Sequence, residues 1–78
     1  MSTDMKTLLD ARRNHSGTII SLPEDEALRS QCIRLGLCAG AVFTCIERLP
    51  GGTIVVETGR QEIALGNALA RTISVTFS

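Results

Sequence analysis

The stretch Cys32-Ile33-Arg34-Leu35-Gly36-Leu37-Cys38-Ala39-Gly40-Ala41-Val42-Phe43 decides how this chain folds. It reads as the end of a helix, a corner turned by two glycines and the start of a strand. Arg34 and Leu35 complete an amphipathic run, and Gly36 stands where a left-handed C-terminal cap belongs. Gly40 stands where a second tight corner swings the chain into Ala41-Val42-Phe43. Neither glycine belongs to a phosphate-cradling loop, because no Lys-Ser or Lys-Thr pair follows and no strand runs into them.

Upstream of the corner, Leu28, Cys32 and Leu35 recur at spacings of four and three, which makes one buried helical stripe. Ser21 stands three residues before Glu24, a capping-box spacing. Pro23 suits a first helical turn, and Glu24, Asp25 and Glu26 place negative charge at the positive end of the helix dipole. The helix is therefore predicted over residues 23–35. Before it, Thr18-Ile19-Ile20-Ser21-Leu22 is short and β-branched and reads as a strand. Gly17 closes the polar, basic run Asp10–Ser16 as a turn residue. Leu8 and Leu9 start a short helix or seal one end of a barrel. Residues 1–7 form a polar, flexible tail, and residues 8–78 form the single domain.

Downstream, residues 41–49 alternate, with Val42, Thr44 and Ile46 on one face and Ala41, Phe43 and Cys45 on the other. Pro50-Gly51-Gly52 is a turn. Strands follow at residues 53–57 and 61–65 around a Thr58-Gly59-Arg60 hairpin. Gly66–Ala70 suits one helical or 3₁₀ turn. A last strand runs over residues 71–77, with Ile73, Val75 and Phe77 facing one way. The fold class is mainly β: a small, partly open barrel with one inserted α-helix and a helical turn before the last strand.

A chain of 78 residues buries only about 60–65% of its unfolded surface, so its core is thin. Eight Lys and Arg balance eight Asp and Glu, which argues against a general nucleic-acid binder. Phe43 and Phe77 are the only aromatic residues, too few for a base-stacking platform. The run from Leu35 to Ile46 is too short to cross a bilayer, and the N-terminus has no apolar signal region. The expected compartment is the cytoplasm. Three cysteines, an odd count, do not suggest a disulfide framework.

Cys32, Cys38 and Cys45 are separated by six and seven positions, wider than a zinc knuckle. Cys32 lies on the helix stripe and Cys45 alternates with Phe43, so both read as small core hydrophobes. Cys38, in the corner, is the exposed candidate. His15, the only histidine, sits in a polar segment with no partner that would orient it beside a nucleophile. The candidate metal contacts are His15 and Cys38. Glu24, Asp25 and Glu26 could hold a divalent cation through oxygens, although helix-start electrostatics accounts for them. The arginines, scattered along the chain, read as solvated faces. No nucleophile, base and orienting group can be assembled, so the chain is expected to be a non-enzyme.

Taken together, the order Gly17, Ile19–Leu22, Arg34-Leu35-Gly36-Leu37-x-x-Gly40, Val42–Ile46, Ile63-Ala64-Leu65, Ala70 and Ile73-x-Val75 resembles the ferrous-iron transport protein A family, FeoA, over residues 8–77. Ala39 departs from the proline common there. The resemblance implies an SH3-like β-barrel and a small cytosolic accessory of bacterial ferrous-iron uptake. Its partner would be the FeoB-type transporter at the inner membrane, with no nucleic acid and no span of its own, as a monomer or weak homodimer. It implies a partner surface at Arg34, Leu35, Leu37, Cys38 and Ala39, with Arg34 either bracing the corner or meeting the partner. No cofactor is required; a weakly bound divalent iron, manganese or zinc ion is the alternative, in which the chain is a metal sensor or carrier. A peptide-binding adaptor barrel is a poorer reading, since its groove would need aromatics and the chain has no Trp or Tyr.

Overall fold

A computed structural model describes residues 6–78. One antiparallel sheet carries six strands: β1 (Lys6–Thr7), β2 (Ser16–Ser21), β3 (Val42–Leu49), β4 (Thr53–Thr58), β5 (Gln61–Leu65) and β6 (Ser74–Phe77). Their order across the sheet is β1-β6-β2-β3-β4-β5. A 3₁₀ turn (Leu8–Asp10) follows β1, helix α1 (Glu26–Arg34) links β2 to β3, and α2 (Asn67–Ala70) precedes β6. The sheet wraps one core containing Leu8, Ile19, Cys32, Leu37, Phe43, Cys45, Ile54, Leu65 and Ile73.

Alternation explains which residues enter that core. Phe43 and Cys45 of β3 are buried while Val42 is exposed, as a period of two requires. Several sequence expectations change. The last strand begins at Ser74 rather than at residue 71, because Arg71 and Thr72 close the turn after α2, and Thr58 belongs to β4, not to the hairpin loop. Lys6 and Thr7 are not tail but strand, paired with Val75 and Ser74; the rest of that expectation, residues 1–5, lies outside the described residues. Gly17 is not a turn residue but a buried interior position of β2 opposite Phe77. The turn before β2 is instead made by Asn14, at φ +73°, where a short amide side chain tolerates the left-handed region. The helix begins at Glu26 rather than at residue 23, because Ser21 is held in the β2–β6 ladder opposite Ser74. Asp25 caps the helix in its place, with Oδ1 accepting from the Leu28 N–H at 3.0 Å.

The β4–β5 hairpin pairs Thr58 with Gln61 across two loop residues. Gly59 has φ +63° and Arg60 does not share that sign, the pattern of a II′ turn, which fixes the register. A bulge at Ile46, between Cys45 and Glu47, turns the second half of β3.

Candidate functional site

The corner between α1 and β3 is built by a two-bond helix cap. The Gly36 N–H donates to the Ile33 carbonyl at 3.0 Å, and the Leu37 N–H reaches back to the Cys32 carbonyl at 3.0 Å. With Gly36 at φ +93°, this is the Schellman arrangement, whose usual companion is an apolar contact between the residue after the glycine and the last helical turn. Leu37 and Cys32 fill those two positions, and both are buried in the core. The Gln61 side chain of β5 then donates from Nε2 to the Leu35 carbonyl at 2.9 Å, tying the cap to the barrel. The second turn has its Ala41 N–H on the Cys38 carbonyl at 3.1 Å and Gly40 at φ +92°. Gly40 also donates to Ile19, and Ile19 to Ala41, so the corner feeds straight into the β2–β3 ladder.

The five residues of the expected partner surface therefore separate. Arg34, Cys38 and Ala39 are exposed, Leu35 is half-buried, and Leu37 is 1% exposed. Leu37 holds the corner from inside, and its side chain has no free surface to offer a partner. Four exposed large apolar residues were not singled out from the sequence: Ile33 on α1, Ile20 on β2, and Val42 and Leu49 on β3, at 58%, 46%, 65% and 38% exposure. For Val42 the signal was present, since alternation had set it opposite Phe43 and Cys45.

The two candidate metal contacts lie apart. The His15 carbonyl accepts from the Cys45 N–H at 2.7 Å, whereas the Cys38 corner meets β2 at Ile19. The intervening strand length is about 13 Å. The His15 ring packs on Phe77 at 5.5 Å, and its Nδ1 accepts from the Arg12 N–H. Cys32 and Cys45 are buried, and burial pushes both thiols up, away from the thiolate that binds metal. Among the described residues no three His, Cys, Asp or Glu side chains converge. The donors present do not fit a closed metal cage.

A shallow depression of about 420 Å³ beside the 3₁₀ turn is lined by Leu9, Asp10, Arg12 and Arg48. Two of its charged groups, Arg48 and Asp10, serve the backbone. Arg48 donates to the Leu9 and Ala11 carbonyls, and Asp10 accepts from the Thr7 N–H. No helix among the described residues is long and apolar enough to cross a membrane.

Comparison with solved structures places this architecture. An iron uptake regulatory protein, FeoA, superposes with a TM-score of 0.88 at 23% identity, covering 96% of this chain and 100% of that one. The FeoA of Stenotrophomonas maltophilia, an SH3-domain protein in complex with zinc, gives 0.77 at 21% identity over 91% and 89% of the two chains. A manganese-dependent transcriptional repressor gives 0.89 at 18% identity, over 99% of this chain but 43% of that protein. At these identities the likeness establishes the SH3-like fold. No curated protein matches the sequence. The FeoA-domain family model matches residues 6–76, and the chain belongs to the FeoA-domain family.

Proposed function

We propose that this chain is a non-enzymatic docking accessory of bacterial ferrous-iron uptake, acting at the cytoplasmic side of a FeoB-type transporter as a monomer or weak homodimer. The observation that carries the reading is the family match over nearly the whole chain, since FeoA domains are associated with ferrous-iron transport. The exposed apolar side chains around the α1–β3 corner support it, because apolar surface at a fixed corner is what a docking module presents. Docking changes the transporter's GTPase or gating equilibrium only through unequal affinity for its states. A tenfold preference moves that equilibrium by about 1.4 kcal/mol.

The test is binding of the purified chain to a solubilised FeoB-type transporter and to its isolated GTPase domain, with and without ferrous iron. Metal-independent binding that weakens in Arg34→Ala and Ile33→Ser, with the fold intact by circular dichroism, is the expected result. No binding under either condition refutes it.

The zinc held by the S. maltophilia relative favours one second reading, a carrier or sensor of a divalent metal. With Cys38 and His15 on separate parts of the surface, that reading predicts weak binding by each. Competition against a chelating dye measures it, and submicromolar affinity in the isolated chain would place this reading first.

A further inference from the structure

The register of the sheet assembles a surface that no single stretch of sequence shows. Residues directly opposite in an antiparallel ladder share a face. Ser16 opposes Thr44, Thr44 opposes Glu57, and Glu57 opposes Glu62. This makes one outward row across β2, β3, β4 and β5, and its Ser16 and Thr44 hydroxyls are hydrogen-bonded at 2.9 Å. The inward side of β4 and β5 is occupied by the buried Val56 and Ile63, so both glutamates point to solvent.

Two carboxylates directly opposite each other repel. The side-chain hydrogen bonds of arginines among the described residues go to backbone carbonyls or to Asn67, so none neutralises the pair. Arg60 flanks the pair at the hairpin tip, and Arg12 and Arg13 precede Ser16, the β2 end of the row.

Next to this row is an apolar one. Val42, 65% exposed, opposes Thr18 and is the diagonal neighbour of Glu57, about 7–8 Å away by sheet geometry. Ile20, 46% exposed, follows on the same face beside the corner at Gly40, where the absent side chain leaves open space. An apolar anchor point and an uncompensated carboxylate pair thus lie within the footprint of a short helix or strand.

We infer that the outer face of β2–β5 is the docking surface for a basic, amphipathic segment of the protein partner. That segment seats an apolar side chain on Val42 and Ile20 and a Lys or Arg between Glu57 and Glu62. The inference rests on the docking reading above and names the chemistry of the partner's contact. Charge selects the occupant: an acidic or uncharged segment would leave the Glu57–Glu62 repulsion in place, and a cation relieves it.

The experiment uses the whole chain, ¹⁵N-labelled, with the solubilised FeoB-type transporter and with overlapping peptides covering its cytoplasmic segments. Expected are amide shifts centred on Thr18, Val42, Glu57 and Glu62 with a Lys- or Arg-containing peptide. Glu57→Gln with Glu62→Gln should weaken binding roughly three- to tenfold at low salt, a difference that closes in high salt. Val42→Thr should weaken it at both. The glutamine pair removes a repulsion, so its urea midpoint should equal or exceed the parent's, which separates lost binding from lost fold. Full-strength binding by the glutamine pair at low salt overturns the inference and leaves the docking reading standing. Shifts centred on Arg12 and Arg48 overturn it likewise. No binding by the parent chain to the transporter or any peptide overturns both. Self-association abolished by the glutamine pair names a second copy as the occupant and overturns the partner-segment inference.

Discussion

Gly17→Ala and Gly40→Ala separate two reasons for a glycine, and the structure ranks them. Gly17 lies inside β2 with its backbone against β6. A methyl added there would run into the Thr76 carbonyl oxygen and sit 3.0 Å from the Phe77 Cα. Both obstacles are main chain, so no rotamer change relieves them, and β6 must move away. Overpacking of this kind costs about 1–3 kcal/mol. The displaced stretch, where Gly17 pairs with Phe77 and Thr18 with Thr76, also loses ladder hydrogen bonds at about 1 kcal/mol each. A total of about 3–5 kcal/mol is expected, against about 4–12 kcal/mol for the whole fold. Gly40 has φ +92° but nothing within 4 Å of an added Cβ. Its alanine should cost only the left-handed backbone term, about 1–2 kcal/mol. Urea unfolding followed by far-UV circular dichroism is the assay, because the chain has no Trp or Tyr to report by fluorescence. With a slope of about 1 kcal/mol per molar, Gly17→Ala should lose roughly 3 M of midpoint or be unfolded in buffer. A loss below about 1 kcal/mol at Gly17, or a larger loss at Gly40, would refute the close-approach reasoning.

Leu37→Ala should destabilise by about 2–5 kcal/mol in the same assay, since Leu37 is fully packed; a neutral result would mean the corner does not seat it. Native thiol titration should find one fast cysteine, Cys38, and two slow ones, Cys32 and Cys45. Burial holds those two thiols above their ordinary value. Their contribution to stability is thus complete below about pH 8.5 and is lost as the pH rises past it. The urea midpoint should fall between neutral and alkaline buffer, and fall less in Cys32→Ala with Cys45→Ala. Gln61→Ala removes the bond to the Leu35 carbonyl and should cost about 1 kcal/mol, with faster amide exchange confined to the end of α1.

The order of elements was legible in the sequence because each carries its own period. Val42 to Cys45 alternates, Leu28, Cys32 and Leu35 recur at helical spacing, and glycine or proline marks the corners between β2 and α2. What was not legible depended on contacts between distant segments. Gly17 reads as a turn residue after a polar run, and only the approach of β6 shows that it is a strand position. Ser21 has capping chemistry, but pairing with Ser74 commits it to the sheet and leaves the cap to Asp25. Lys6 and Thr7 are too short a strand for any period to show. The carboxylate pair was invisible for the same reason: Glu57 and Glu62 are ordinary solvated residues until the hairpin register sets them opposite each other.

The corner motif illustrates why a site made of sequence neighbours misleads. From Ile33 to Gly40 the chain alternates between two tasks. Gly36 closes the helix and Leu37 enters the core, while Ile33, Arg34, Cys38 and Ala39 face outward. A substitution at Gly36 or Leu37 therefore lowers stability whatever it does to docking, and only the outward positions Ile33, Arg34, Cys38 and Ala39 can report on a partner. Val42, Glu57 and Glu62 escape this difficulty, because they are exposed and sit on strands whose inward neighbours hold the fold. If the outer face of β2–β5 is the docking surface inferred above, changes there should move a partner's affinity without moving the core. Those residues, together with the outward side chains of the corner, are where the docking inference can be tested apart from folding.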